Sequence, residues 1–230
     1  MLYSIWFDLS TVIGHFNAMP TPLTTSPKLL DHPWYRAWEC GALPREALRT
    51  YASEYYWQVA NFPRYLSRLH SQLPDLKSRQ VLLSNLMDEE NPSSPHPELW
   101  LDFAASLGLD RQAVAAGTPS AATCALVEQF HALVAASPEE GLGAILAYES
   151  QVPAIARFKG KALKDHYLAT AAQQAQGTRF FAVHEEADQW HTAALERLVD
   201  ALPQEQKRKA QDAANIACSA LWKFLDAMPH

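Results

Sequence analysis

Apolar residues recur at steps of three and four over almost the whole chain from Asp31 onward, which is the spacing of the buried face of an α-helix. The pattern is clear in one central stretch, where it is formed by Leu48, Tyr51, Tyr55 and Val59. We find no run in which apolar and polar residues alternate as they do in a half-buried β-strand. The sequence therefore predicts an all-α fold, in which seven or eight helices joined by short loops form one domain over residues 28–230.

Prolines mark the predicted ends and bends of these helices. The segment PTPLTTSP at residues 20–27 predicts a loop, and residues 1–27 are interpreted as an N-terminal arm or linker. Pro63 is expected to end or kink the helix in which it lies. Pro153 is expected to kink a second long helix, because a proline lacks the backbone N–H that a helix interior uses.

Charge and composition exclude several classes of protein. The chain has 19 basic and 25 acidic residues and a net charge of −6, which argues against a nucleic-acid-binding protein. No apolar run approaches the ~20 residues of a membrane-spanning helix, and the apolar N-terminus lacks the early positive charge of a secretory signal. The three cysteines form no CxxC pair and suggest no disulfide framework. We therefore expect a cytoplasmic protein with no nucleic-acid or membrane partner.

The strongest functional signal is the segment HEEADQWH, which contains His184, Asp188 and His191. At about 100° per residue these positions lie within roughly 60° of one another on a helix, so two imidazoles and a carboxylate point the same way. Apolar residues lie on or near the same face, where a charged cluster is costly unless it is paired or bound to a metal ion. Taken alone, the segment is equally compatible with a solvated or helix-capping cluster.

Two more carboxylates favour a metal site. Glu149 lies in the apolar stretch ILAYESQVPAIA, and Glu89 follows the apolar run LLSNLMD, with His96 seven residues later. Glutamates are rarely buried unless they are paired. Helical bundles build dinuclear iron or manganese sites from such carboxylates and imidazoles, whereas structural zinc sites favour cysteine. The predicted ligand set is Glu89, His96, Glu149, His184, Asp188 and His191.

The order and spacing of these ligands resemble those of the heme-oxygenase-like dimetal oxidases. Further segments are similar to the family of the chlamydial protein associating with death domains, namely HPWY at 32–35, YYWQVANFPRYLSRLHS at 55–71, NLMDEEN at 85–91, YESQVPAIAR at 148–157 and HEEAD at 184–188. The resemblance covers residues 28–227, nearly the whole body of the chain. The combination of motifs is specific, whereas no single motif is.

This resemblance implies a heme-oxygenase-like, seven-helix up-and-down bundle, related to thiaminases and pyrroloquinoline-quinone synthases and usually a homodimer. It implies two metal ions, Fe/Fe or Mn/Fe, that act with O2 and an external reductant of unknown identity. It also implies the synthesis of 4-aminobenzoate, a folate precursor, from the protein's own side chains. Tyr35 then matches the tyrosine that supplies the ring, and Lys159 matches the lysine that supplies the amine. Tyr51 and Tyr148 match tyrosines that relay radicals or substitute as a ring source.

Alternatives stay open at this point. The same metal site is compatible with an enzyme that oxidises a diffusible amino acid or fatty acid, and the resemblance also allows a non-catalytic, death-domain-type interaction protein. Taken by itself, Tyr35 is an ordinary core residue and Lys159 an ordinary cation at a helix end. Lys161 and Lys164 lie near enough in the sequence to donate the amine instead.

Overall fold

The computed structural model describes residue 23 and residues 27–230, apart from the side chains of residues 185–189. Within these residues the chain folds into helices and contains no β-strand, which confirms the predicted all-α fold. The predicted N-terminal arm over residues 1–27 lies almost entirely outside the described residues. None of the helices in the described part is long and apolar enough to cross a membrane.

Eleven α-helices follow one another in the described part of the chain. They are α1 (Pro33–Glu39), α2 (Arg45–Gln72), α3 (Leu76–Glu89), α4 (His96–Ser106), α5 (Arg111–Ala115), α6 (Ala121–Ala136), α7 (Pro138–Glu149), α8 (Val152–Ala162), α9 (Ala171–Gly177), α10 (Arg179–Asp200) and α11 (Gln204–Asp226). A 3₁₀ turn over Leu29–Asp31 precedes α1, and a π-helical turn over Leu163–Tyr167 follows α8. The described part has more helices than the seven or eight predicted, because it also contains the short helices α5 and α9 and because α7 and α8 are separate helices.

Polar side chains determine where several helices begin. Asp75 accepts a hydrogen bond from a backbone N–H in the first turn of α3, and Ser137 accepts one in the first turn of α7. Such caps satisfy backbone donors that have no partner inside the helix, and each contributes about 1 kcal/mol. These two helices matter for function because Glu89 is the last residue of α3 and Glu149 the last residue of α7.

The two helix-interior prolines of the sequence have different effects in the structure. α2 runs for 28 residues and continues through Pro63, so this proline does not end the helix. Pro153 lies in the first turn of α8, where a missing N–H costs little. Instead of the kink expected at Pro153, the helix is interrupted between Glu149, the last residue of α7, and Val152, the first residue of α8. As a result, Glu149 and Lys159 belong to different helices.

α7 and α11 pack in close contact at Gly143. A β-carbon added to this glycine would lie 2.0 Å from the carbonyl oxygen of Ala210 on α11. Three more alanines of α11 are almost completely buried: Ala213, Ala214 and Ala217. These short side chains let the two backbones approach each other, and the contact holds α7, with Glu149 at its end, in the interior.

Gly143→Ala is expected to lower the free energy of unfolding by about 1–3 kcal/mol, because the new methyl group must displace the backbone of α11. Urea unfolding followed by circular dichroism measures the change. Gly160→Ala on α8 is the matched control, since a β-carbon there meets Phe181 at an ordinary 3.5 Å and alanine favours a helix. Equal stability of Gly143→Ala and the wild type would contradict the close packing.

Candidate metal centre and buried lysine

Three buried side chains from three helices converge in the interior. Glu89 ends α3, His96 begins α4, and His184 lies on α10. Glu89 Oε2 is 2.8 Å from His96 Nδ1, and Glu89 Oε1 is 3.9 Å from His184 Nε2. The centroids of the two imidazole rings are 4.3 Å apart. One ligand atom from each residue lies within 4.8 Å of the others, so the three side chains together can hold a metal ion.

His184 is oriented by its other ring nitrogen. Its Nδ1 donates a 2.8 Å hydrogen bond to the backbone carbonyl of Phe180. This bond assigns the proton to Nδ1 and leaves Nε2 facing Glu89, an arrangement typical of metal-bound histidines. Buried carboxylate and imidazole donors of this kind suit iron and manganese. The residues present therefore fit the metal chemistry that the sequence predicts.

Glu149 is bound to α3, the helix that ends at Glu89. Its side chain is buried, and its Oε1 accepts a 2.7 Å hydrogen bond from the amide nitrogen of Asn85. Asn85 lies on α3 four residues before Glu89, so the bond ties the end of α7 to the helix that carries Glu89. Glu149 is not one of the three side chains whose ligand atoms converge, although dinuclear sites in helical bundles use more than one buried carboxylate.

The other two predicted ligands lie on α10 beyond His184. His191 is buried, and its Nε2 is 2.9 Å from Oδ2 of the half-exposed Asp88. This contact joins His191 to the residue before Glu89 and not to the three-residue group. Asp88 was not among the predicted site residues. Its position directly before the predicted ligand Glu89 was the signal available in the sequence. The side chain of Asp188 lies outside the described residues, and the ligand roles of all six residues stay predictions.

A buried lysine lies inside an aromatic cluster formed by α1, α2 and α8. Lys159 is 3% exposed, and its Nζ is 2.7 Å from Tyr51 Oη and 3.1 Å from Tyr35 Oη. The two phenol oxygens are 3.3 Å apart. Nζ also lies 4.4 Å from the centroid of the Tyr35 ring and 5.1 Å from that of Trp38. This burial argues against the alternative interpretation of Lys159 as an ordinary helix-end cation.

Burial determines the protonation states of this group. It lowers the pKa of Lys159 well below its usual range, because an ammonium ion would lose its hydration among the aromatic rings. For the same reason burial raises the pKa of Tyr35 and of Tyr51 well above the usual range. The site therefore favours a neutral amine, whose nitrogen has a lone pair, in contact with two neutral phenols.

The helix that carries Tyr35 is anchored to the C-terminal end of the chain. His32 caps α1 by accepting a hydrogen bond at Nδ1 from the backbone N–H of Trp34, and its Nε2 is 3.1 Å from Oδ1 of Asp226. Trp34 donates from Nε1 to the backbone carbonyl of Pro229 at 2.9 Å. These contacts hold α1 against the body of the protein and so place the ring of Tyr35.

Tyr55 belongs to the same cluster, although sequence reasoning treated it only as a core position. Its Oη donates a hydrogen bond to Tyr148 Oη at 3.4 Å. Its ring stacks on that of Tyr51, with centroids 5.1 Å apart and planes 15° from parallel. The signal available in the sequence was its spacing of four residues from Tyr51, which puts both on one face of a helix.

A small cavity of about 30 Å³ lies between the lysine and the residues near the metal ligands. Six of its lining residues are Tyr35, Tyr55, Trp100, Tyr148, Lys159 and Phe180. Phe180 is the residue whose carbonyl orients His184, and Tyr148 precedes Glu149. The cavity therefore connects the surroundings of the predicted ligands with the surroundings of the amine.

The sequence is similar to a family of redox enzymes over most of its length. A family model described as "Iron-containing redox enzyme" matches residues 49–223, a span that includes all six predicted ligands and Lys159. The chain is 36% identical over 200 residues to the 4-aminobenzoate synthase of Chlamydia muridarum, which covers 86% of this chain and 84% of the relative. It is 36% identical over 225 residues to the 4-aminobenzoate synthase of Nitrosomonas europaea, which covers 93% of this chain and 90% of the relative.

Solved structures with the same fold confirm the predicted heme-oxygenase-like architecture. A TenA homologue from Pseudomonas syringae has a TM-score of 0.73 at 14% identity, over 86% of this chain and 85% of that one. A domain with a heme-oxygenase-like fold from Shewanella denitrificans has a TM-score of 0.66 at 19% identity, over 86% and 84%. A CADD-like protein from Nostoc punctiforme has a TM-score of 0.68 at 17% identity, over 84% of each chain. At these identities the likeness shows the fold alone.

Glu89→Gln is expected to lower the affinity for iron at least about tenfold, because it removes the carboxylate charge between the two imidazoles. The metal bound per chain after dialysis, measured by plasma mass spectrometry, checks this result. Glu128→Gln removes an exposed negative charge on α6 and is the matched control. Equal metal content in the two variants would contradict a ligand role for Glu89.

Lys159 makes the stability of the protein depend on pH. Because its pKa is lowered by folding, the unfolded chain binds more protons than the folded chain below about pH 10.4. The free energy of unfolding of the wild type should therefore rise with pH relative to that of Lys159→Met, by up to about 1.4 kcal/mol per pH unit. Urea unfolding between about pH 7 and pH 9.5 measures the difference.

The matched control is Lys161→Met, because the side chain of Lys161 is 77% exposed. The profile of this variant should run parallel to that of the wild type. Parallel profiles for the wild type and Lys159→Met would instead show that Lys159 titrates alike in the folded and unfolded chains.

Proposed function

The chain belongs to the family of iron-containing redox enzymes that includes the 4-aminobenzoate synthases, and from this premise we propose that it makes 4-aminobenzoate from its own side chains. In this reaction Tyr35 supplies the carbon atoms and Lys159 supplies the nitrogen. The observation that carries the proposal is the 3.1 Å contact between Lys159 Nζ and Tyr35 Oη inside a buried aromatic cluster. An enzyme that acts on a diffusible substrate has no need of this pair.

The chemistry of the product explains why an amine and a phenol should lie together. In 4-aminobenzoate the amino group stands opposite the carboxyl group, as the phenolic oxygen of tyrosine stands opposite Cβ. The product follows when the Cα–Cβ bond of Tyr35 breaks, Cβ is oxidised to the carboxyl group with O2 as the oxidant, and the Lys159 nitrogen replaces the phenolic oxygen, which leaves as water. Release of the product also requires the bond between Nζ and Cε of Lys159 to break. Lys159 Nζ lies beside that oxygen, and so beside the ring carbon that has to receive the nitrogen.

The neutral amine of Lys159 is the form that can act as a nucleophile. Burial lowers the pKa of the lysine, and its two hydrogen bonds go to phenols, which do not supply the negative charge that would retain a proton. The rings of Trp38 and Phe158 pack around the pair. This enclosure limits the access of bulk water, which would otherwise compete with the amine for an oxidised ring.

The residues that would hold two metal ions are the six predicted ligands. When bound, the ions would activate O2 with electrons from an external reductant and so supply the oxidising power that the reaction needs. We propose an Fe/Fe or Mn/Fe pair, because the donor set suits both metals and the family is described as iron-containing. Phe180 would keep His184 in its coordinating tautomer, and Asn85 would orient Glu149.

The cavity beside Tyr35 and Lys159 gives no support to a diffusible substrate, because its volume of about 30 Å³ has room for one or two water molecules. The relatives named 4-aminobenzoate synthase likewise give no support to a death-domain-type interaction protein. We further propose that the enzyme acts in the cytoplasm as a homodimer with an external electron donor, and that each chain makes a single product molecule.

Tyr35→Phe is expected to lower the yield of 4-aminobenzoate at least about a hundredfold, because it removes the oxygen at the carbon that receives nitrogen; this factor corresponds to ~2.7 kcal/mol. Product and protein are analysed by mass spectrometry after the metal-loaded chain has received reductant and O2. Tyr65→Phe, a buried tyrosine elsewhere on α2, is the matched control. The proposal would be contradicted if Tyr35→Phe gave the same yield as the wild type and every Tyr35 peptide recovered from the wild type after the reaction kept its side chain.

A further inference from the structure

Four tyrosines form a continuous line from the metal side of the site to the lysine. Tyr148 precedes the predicted ligand Glu149, and its phenol oxygen is 3.4 Å from that of Tyr55. The ring of Tyr55 stacks on that of Tyr51 at 5.1 Å, and Tyr51 Oη is 3.3 Å from Tyr35 Oη. Each neighbouring pair is therefore in ring-stacking or hydrogen-bond contact.

A second line of aromatic rings reaches Tyr55 from His184. The ring centroids of His184 and Phe180 are 4.1 Å apart, and those of Phe180 and Trp100 are 4.9 Å apart. The Trp100 centroid is 5.3 Å from that of Tyr55 and 5.9 Å from that of Tyr51. The two lines begin on different helices, α7 and α10, and both reach Tyr55. Trp100 also contacts Tyr51 directly, but the line of phenols from Tyr148 reaches Tyr51 through Tyr55, where the two lines meet.

We propose that Tyr55 is a relay residue, which passes one-electron oxidising equivalents from Tyr148 to the pair formed by Tyr51 and Tyr35. The inference rests on the proposed function, because the oxidant that starts the relay is the one derived from O2. Tyr55 begins and ends each transfer as an intact phenol, so it is not consumed.

The transfer balances in electrons and protons. Tyr148, after giving one electron and its phenolic proton to the oxidant, takes one electron and one proton from Tyr55 across their hydrogen bond. Tyr55 then takes one electron from Tyr51 across the stacked rings. Tyr51 gives its phenolic proton to the amine of Lys159, and the ammonium so formed gives a proton to the Tyr55 phenolate through the cavity that Lys159 and Tyr55 both line, which restores the neutral amine. The net change is the loss of one electron and one proton from Tyr51.

The phenol oxygen of Tyr55 is the part of the side chain that packing alone does not require. The ring is 7% exposed and packs against Trp100 and Phe224, where phenylalanine would fill the same space. Burying a hydroxyl group also costs more than burying the bare ring. Because a phenylalanine ring is far harder to oxidise than a phenol, Tyr55→Phe separates a relay from a packing role.

The experiment uses the full chain loaded with iron, or with manganese and iron, and carrying 3-aminotyrosine in place of Tyr51. Aminotyrosine is oxidised more easily than tyrosine, and its radical has a distinct electron paramagnetic resonance signal, so it reports arriving oxidation without any product formation. We expect Tyr55→Phe to reduce this signal about tenfold or more. A tenfold lower rate corresponds to a barrier that is ~1.4 kcal/mol higher. Tyr65→Phe, a buried and hydrogen-bonded tyrosine outside both lines, should leave the signal unchanged.

With the natural Tyr51 restored, Tyr55→Phe should lower the 4-aminobenzoate yield by a similar factor at equal metal content and melting temperature. An undiminished aminotyrosyl signal in Tyr55→Phe would overturn the relay. If the signal depends on Tyr55 but the wild type makes no 4-aminobenzoate, the relay stands and the proposed function fails. If the wild type and Tyr55→Phe make equal amounts, the proposed function stands and the relay fails.

Discussion

The burial of the Lys159 amine among aromatic rings is the interaction on which this site depends. An ammonium ion held there would lose its hydration without gaining a carboxylate partner, so the amine gives up its proton instead. Hydrogen bonds to Tyr35 and Tyr51 then satisfy the neutral nitrogen. The same enclosure that removes the charge also keeps bulk water away from both rings. Burial therefore favours the neutral, nucleophilic form of the lysine, which at the surface would be a cation. The amine lies beside the ring carbon of Tyr35 that receives the nitrogen.

The fold supplies two separate surroundings at the two ends of one short stretch of chain. Glu149 ends α7, where it accepts a hydrogen bond from Asn85 of α3, whereas Lys159, on α8, lies among phenols. In one continuous helix these residues would be about 15 Å apart along the axis. The break before Pro153 separates the two helices, and Tyr148 of α7 and Lys159 of α8 line one cavity. The metal chemistry and the amine chemistry are thereby kept apart yet remain connected through aromatic side chains.

The helical fold and the family could be predicted because apolar periodicity and ligand spacing are local properties of the sequence. Glu149 stood out for a physical reason, since a carboxylate in an apolar helix has to be compensated when it is buried. Asn85, which donates a hydrogen bond to Glu149, had no such distinguishing feature in the sequence. Helix spacing put His191 among the ligands, but spacing does not reveal that Asp88 lies opposite it on another helix. Tyr55 looked like any other position of the apolar face, because periodicity reports burial and not hydrogen bonding.

The central claim is that the atoms of the product come from the chain itself, and isotopic labelling tests it most directly. Protein made with ¹³C-tyrosine and ¹⁵N-lysine is loaded with metal and given reductant and O2 in the presence of unlabelled tyrosine and lysine. The account predicts 4-aminobenzoate that carries ¹³C and ¹⁵N in the same molecule. Product without either label would show that it derives from a diffusible substrate and would contradict the account.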